Sequence, residues 1–154
     1  MAPNRLPVED GEEVLRVGTN APSVDKVSGQ ILRGAFLRRE PHPVTGERRD
    51  TQGLSVNLRG KRSVKQTQAD WQDCHMIAAL TIRSVRAVEA SPKLDVIQTA
   101  AERDYHANLT GLPERGSGVP EANITEAERL ATQLARAAKA VYIKSQGFLE
   151  DRPG

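Results

Sequence analysis

Aromatic residues are scarce in this chain, with one Trp, two Tyr and two Phe among 154 residues. A core must therefore come from Leu, Ile, Val and Ala. No ladder of aromatics interleaves with basic residues apart from Phe36, which argues against stacking of single-stranded bases. Cysteine is scarcer still. Cys74 stands alone, which excludes an internal disulfide, a Cys-rich zinc knuckle and a CxxC redox pair. Its neighbour His75 diverges from it by ~100° on a helix, so no metal site is expected. No run approaches the ~20 apolar residues of a membrane helix. The acidic N-terminal stretch, with Glu9, Asp10, Glu12 and Glu13, lacks the apolar region of a secretory signal, which predicts a cytoplasmic protein without a membrane partner. The GxxxxGK[ST], GxGxxG, HExxH and GxSxG patterns are missing too, and with them the commonest nucleotide, metalloprotease and hydrolase signatures. No cofactor is expected.

What is there fits one domain, since domains run to roughly 100–150 residues. Residues 1–28 read as an N-terminal arm whose apolar run Val14-Leu15-Arg16-Val17 adds a strand or packs from outside. Residues 29–145 read as a single α+β domain, and 146–154, ending in Asp151-Arg152-Pro153-Gly154, as a tail. Within the domain, Gln30 to Leu37 is a compact apolar stretch ahead of the breakers Pro41, Pro43 and Gly46, which suits a first main strand. Leu54, Val56 and Leu58 alternate with Ser55 and Asn57, the period of a half-buried strand. Residues 67–80 read as a helix with Trp71, Cys74 and Ile77 on one face, and Ile82 to Val88 as an alternating strand. Leu94 to Gln98 and His106 to Leu109 are further short strands. Thr125 and Glu128 form a capping box ahead of a long helix striped by Leu130, Leu134 and Val141. The expected fold is a small, mostly antiparallel sheet of about four to six strands covered by two main helices.

The formal charge of +2 conceals an asymmetry. Residues 33–65 carry nine cations, Arg33, Arg38, Arg39, Arg48, Arg49, Arg59, Lys61, Arg62 and Lys65, against Glu40, Glu47 and Asp50, a local excess of +6 that leaves −4 on the rest. Guanidinium forks bind phosphate in a bidentate way, so Arg33, Arg38, Arg39, Arg48, Arg49, Arg59, Lys61 and Arg62 are candidate ligands for a nucleic acid or nucleotide phosphate. The plainer alternative is a solvated edge and loop. A second constellation precedes Gly111-Leu112-Pro113. On an extended strand His106 and Asn108 share a face, with Asp104 joining them if the strand reaches back that far. A histidine beside a carboxylate and an amide suits acid–base work or ligand orientation. A polar strand end facing water is the alternative.

The order of an Arg33 segment, the Gly53-Leu54-Ser55-Val56 strand and a later polar motif with His106 or Glu102 resembles ADP-ribosyltransferase-like folds that grip NAD. That resemblance implies Arg33 on phosphate, Ser55 orienting and His106 as acid or base. The chain departs from the pattern at Glu102, which falls in a turn-like segment instead of a strand. Across residues 30–143, the blocks LRGAFLRRE, GLSVNL and HANLTGLPE before a terminal helix also resemble a group of small bacterial proteins of uncharacterised function, which singles out Arg33, Phe36, Leu54, Ser55, His106, Asn108, Gly111 and Pro113. Three functional readings fit the sequence. The first is a binding protein or accessory subunit offering its 33–65 surface to nucleic acid, nucleotide or an acidic partner protein. The second is a nucleotide- or NAD-processing enzyme, with Ser55 and His106 as catalytic groups and Asn108 and Asp104 orienting the ligand. The third is a structural module that docks a partner through the Leu130–Leu134–Val141 stripe.

Overall fold

The computed structural model describes residues 5–19, 23–25, 27–99, 104–116 and 118–149. Glu102 and the final residues 150–154 lie outside them. The strands are β1 (Arg5–Pro7), β2 (Glu13–Gly18), β3 (Leu54–Leu58), β4 (Met76–Thr81), β5 (Asp95–Thr99), β6 (His106–Thr110), β7 (Lys139–Ile143) and β8 (Gly147–Phe148). The helices are α1 (Val64–Ala69), α2 (Ile82–Ala87) and α3 (Glu121–Ala137), with a 3-10 turn at Arg33–Phe36. All eight strands join one sheet in the order β1-β5-β6-β3-β2-β4-β7-β8, and every neighbouring pair is antiparallel. The class is α+β, with a larger sheet than the expected four to six strands. No helix among the described residues is long and apolar enough to cross a membrane.

Strand β2 lies in the middle of that sheet, between β3 and β4, because both of its faces are apolar enough to be buried. Val14 turns with Leu58 and Leu80 toward the main core, while Leu15 turns the other way and is 1% exposed. The main core lies between one sheet face and the helices α2 and α3, where Ile82, Val85, Leu130 and Leu134 meet Leu54, Val56, Met76 and Leu109. On the opposite face a smaller cluster of Leu15, Ile77, Ala79, Val141 and Tyr142 is covered by Val64 of α1 and by Cys74.

Several elements differ from the sequence expectation, each for a physical reason. Gln30 to Leu37 is not a strand. Ile31 makes an isolated bridge to Val24, and the chain then coils through Arg33–Phe36 so that Ala35 and Phe36 are buried beside α3. Residues 67–80 are not one helix. Helix α1 starts earlier, at a capping box in which Ser63 accepts from Gln66 N and Gln66 returns the bond, and Met76 to Leu80 belong to β4, where each of these five is buried. A strand covered on both faces loses the period of two, and its alanines imitate a helix. Ile82 to Ala87 is helical because Thr81 caps it, accepting from Ser84 N, and Ile82 and Val85 fall one turn apart. Helix α3 opens at Glu121 with Pro120 as its N-cap, so Thr125 is interior, Glu128 pairs with Arg33, and Val141 belongs to β7 instead of the helix stripe. Within the expected tail, Gly147 and Phe148 pair with β7.

Gly53 makes the entry to β3 possible. Its φ of +114° is in the left-handed region, and a Cβ there would stand 2.4 Å from the carbonyl oxygen of Leu109 on the neighbouring strand. Gly53→Ala is expected to cost at least about 2 kcal/mol, lowering the thermal unfolding midpoint by roughly 4–8 °C. Gly60→Ala, whose Cβ would meet nothing within 4 Å, is the control, with a change within about 0.5 kcal/mol. Calorimetric melts of both variants check this.

Candidate functional site

The alternation of β3 and β6 separates apolar from polar side chains. Leu54, Val56 and Leu58 enter the core, whereas Ser55 is exposed and Asn57 half-buried on the other face. The register pairs Ser55 with Asn108 and Asn57 with His106, so Ser55, Asn57, His106 and Asn108 share one face. His106 Nε2 lies 3.3 Å from Ser55 Oγ. Next to this polar floor, α1 and the turn after it rise as a wall. Asn57 Nδ2 donates to Thr67 Oγ1 at 3.0 Å, fixing α1 to β3 and satisfying a hydroxyl-bearing residue that is fully buried. Asp70 accepts a two-pronged bond from Arg62, 2.9 Å from Nε and 2.6 Å from Nη2, and the same guanidinium sits 4.7 Å above the Tyr105 ring.

Floor and wall enclose a cleft of about 610 Å³, within the size of ordinary small-molecule sites. Its lining includes Arg16, Ser55, Asn57, Trp71, Tyr105 and His106. Trp71 is 46% exposed. An indole left this open in a chain with few aromatics is a surface that a flat ligand can cover. Arg16 enters from β2. It donates from Nε to Ala35 O at 2.8 Å and from Nη1 to Ser55 O at 3.0 Å. Burial lowers its pKa to about 10, Asp50 opposing the drop and Arg39 adding to it, so it stays cationic at neutral pH. Arg39 and Asp50 complete that end. Arg39 donates from Nη2 to Asp50 Oδ1 at 3.0 Å and from its backbone amide to Asp50 Oδ2 at 2.7 Å. Asp50 itself has a φ of +58°.

Of the residues expected to form a site, Ser55, His106 and Arg39 line this cleft. Asn108 is on the same face one pair further along β6. Asp104 is in the turn before β6, where its carbonyl accepts from Gln98 Nε2 at 2.6 Å, and it is not part of the lining. Arg33 is not there either. It pairs with Glu128 of α3 at 3.0 Å, so the arrangement of Arg33 with Ser55 and His106 is not brought together. The remaining cations are distributed among carboxylates elsewhere in the chain. Arg59 pairs with Glu13 at 3.2 Å and Arg62 with Asp70, while Lys61 is exposed. Arg38, Arg39, Arg48 and Arg49 stay together, around a second cavity of about 570 Å³.

Sequence reasoning passed over Arg16, Asn57, Trp71 and Tyr105. Asn57 is legible in the alternation of β3, and Arg16 as the cation inside the apolar run Val14-Leu15-Arg16-Val17. Trp71 was not, because it falls after α1 in a turn, not on an apolar helical face. Cys74 contributes no nucleophile: it is 2% exposed, and burial pushes its thiol up to about 11. No group of three or more His, Cys, Asp or Glu among the described residues is placed to hold a metal ion. No protein-family model, curated protein or solved structure matches this chain.

The Asp50 carboxyl gives this end of the cleft a pH dependence. Burial pushes its pKa up, but hydrogen bonds from the Arg39 side chain and amide, with the charges of Arg39 and Arg16, outweigh burial and hold it below the ordinary 3.8. Unfolding therefore takes up a proton in acid. The stabilisation is complete above the unfolded value and disappears as the pH falls through the folded one. Asp50→Asn is expected to be less stable by about 1–2 kcal/mol at pH 7 and to lose less stability than the parent on going from neutral pH to acid. Urea unfolding at a series of pH values measures both.

Proposed function

We propose that this protein is a cytoplasmic binding protein for a phosphate-bearing ligand of the nucleotide class, held in the cleft where the polar half of the sheet meets α1. One observation carries the reading: an exposed indole and a tyrosine border the same cleft as a hydroxyl, an imidazole, an amide and two arginines. An aromatic wall suits a base. Hydroxyl, imidazole and amide groups suit ribose hydroxyls and base edges, and guanidinium groups suit phosphate. The cations Arg16 and Arg39 face one lining carboxylate at their end, Asp50, and Asp70 is already engaged by Arg62, which favours an anionic ligand over a cationic one.

A second reading rests on the 3.3 Å approach of His106 to Ser55. A neutral imidazole at that distance can accept the hydroxyl proton, which would make the protein a nucleotide-processing enzyme with Arg16 and Arg39, in place of Arg33, on the phosphate. Turnover of a bound nucleotide that is lost in His106→Ala while binding persists would select this reading.

Trp71 is the chain's single tryptophan, so its emission reports occupancy of the cleft directly. Titration with nucleoside mono- and diphosphates, NAD and short oligonucleotides is expected to change that emission saturably for at least one of them. Ser55→Ala and His106→Ala should each weaken the response about fivefold, the loss of roughly one hydrogen bond. Emission indifferent to every one of these ligands at millimolar concentration overturns the proposal.

A further inference from the structure

The second cavity lies between the 38–50 loop and the 112–116 segment, beside the start of α3. Five guanidinium groups line it, those of Arg38, Arg39, Arg48, Arg49 and Arg115. Three carboxylates answer them. Glu114 serves both Arg48, at 2.6 Å, and Arg38, at 3.6 Å. Asp50 serves Arg39, and Glu40 serves Arg115 at 3.6 Å. Two positive charges are left over.

Backbone carbonyls orient these arginines, of which Arg49 has no carboxylate partner among the described residues and Arg38 and Arg48 share one. Arg49 donates from Nε to Glu40 O at 2.7 Å, Arg115 from Nε to Arg38 O at 2.6 Å, and Arg38 from its two terminal nitrogens to Leu112 O and Arg49 O. A carbonyl accepts a hydrogen bond and fixes the direction of a guanidinium, but it cancels no charge. Arg38 also keeps one buried donor, Nε, without an acceptor among the described residues. These carbonyl bonds hold the two loops together, and the two positive charges that they leave unanswered favour an anion at this place. We infer that this cavity is an oxyanion site that takes a phosphate group. Arg39 lines both this cavity and the cleft of Trp71 and His106, so the two meet at one residue. The ligand that satisfies both is a nucleotide with two or more phosphates, its base and sugar in the cleft and its distal phosphate among the arginines. This extension to a bidentate ligand rests on the nucleotide reading of the cleft; the oxyanion site itself does not.

The test uses the full chain and three probes: inorganic phosphate, inorganic pyrophosphate and a nucleoside diphosphate, each against sodium chloride at matched ionic strength. Binding is read by calorimetry and by the unfolding midpoint, and Trp71 emission is followed in parallel. Pyrophosphate is expected to raise the midpoint and to bind without changing Trp71 emission. Arg48→Gln/Arg49→Gln should lower its affinity at least tenfold, Arg49→Lys much less, and Arg33→Gln, outside the cavity, not at all. The double variant gives up the Arg48–Glu114 pair and the Arg49 bond to Glu40 O along with two like charges, so its unliganded unfolding midpoint is measured beside binding, and Arg49→Lys, which keeps the charge, separates loss of binding from loss of fold. For the nucleoside diphosphate, quenching of Trp71 with affinity reduced by Arg48→Gln/Arg49→Gln places both ends of one ligand. Pyrophosphate binding with no response of Trp71 to any nucleotide keeps the oxyanion site, assigns it to free phosphate and overturns the nucleotide reading alone. Absence of phosphate and pyrophosphate binding at low salt, or binding that the double variant leaves unchanged, overturns the site, whatever the cleft does.

Discussion

The sheet is buried on both faces at β2, β4 and β7 and on one face at β3 and β6, and that step determines where the helices sit and where a cleft can open. Strands β2, β4 and β7 carry apolar residues on both sides, Val14 with Leu15, Met76 with Ile77, and Ile143 with Tyr142. They need a cover on each. The long helix α3 and the 3-10 turn supply one, and the six-residue α1 with the Cys74 turn supplies the other. Strands β3 and β6 bring apolar residues to the α3 side only, and their other face is polar. A short cover ending over a sheet that continues must leave a ledge. The cleft is that ledge, with Asp70 and Trp71 on its rim and Ser55 and His106 on its floor.

The same asymmetry decides which parts of the chain could be read from its residues. Strand β3 was legible because one-sided burial imposes alternation, and the polar set of Ser55, His106 and Asn108 was legible for the same reason. Strand β4 was not. With both faces covered, MIAALT has no period, and two alanines and a leucine look helical. The next segment misleads in the opposite sense: Ile82 and Val85 are spaced for a helix, but Val85 and Ala87 on either side of Arg86 imitate a strand over so few positions. Gln30 to Leu37 shows a further limit. Its apolar residues announce burial, yet whether they are buried as a strand or beneath α3 depends on which sheet edge is free, and that is settled by residues far away in the chain. Pairing partners were equally out of reach, so the meeting of Ser55 with His106, 51 residues apart, and the absence of Arg33 from it belong to topology.

Electrostatics add a constraint that composition conceals. The +6 of residues 33–65 suggests one continuous basic surface, but in the fold most of that charge meets carboxylates from outside the segment, Glu13, Asp70, Glu114 and Glu128. Exposed pairs of this kind contribute little stability each. Their effect is to remove positive potential from most of the surface. What they leave concentrated is the group of Arg38, Arg39, Arg48, Arg49 and Arg115, where Arg38 and Arg48 share Glu114, Asp50 holds Arg39, Glu40 holds Arg115 and Arg49 meets only the Glu40 carbonyl.

Arg16 joins these two themes. A cation in a central strand is costly unless its donors are used and its charge is answered. Its Nε and Nη1 bond the carbonyls of Ala35 and Ser55, one on the 3-10 turn and one on β3, so the residue ties the entry of the basic loop to the floor of the cleft. Neither carbonyl cancels its charge, and Asp50, the carboxylate that opposes its loss of charge, is itself held by Arg39. The Arg16–Asp50–Arg39 group therefore carries one net positive charge at the boundary of the two cavities, fixed by backbone on one side and by an ion pair on the other. A cation held rigidly at the edge of an open polar cleft needs little reorganisation to meet an anion. For that reason a phosphate at this boundary fits the fold better than a ligand confined to either cavity alone.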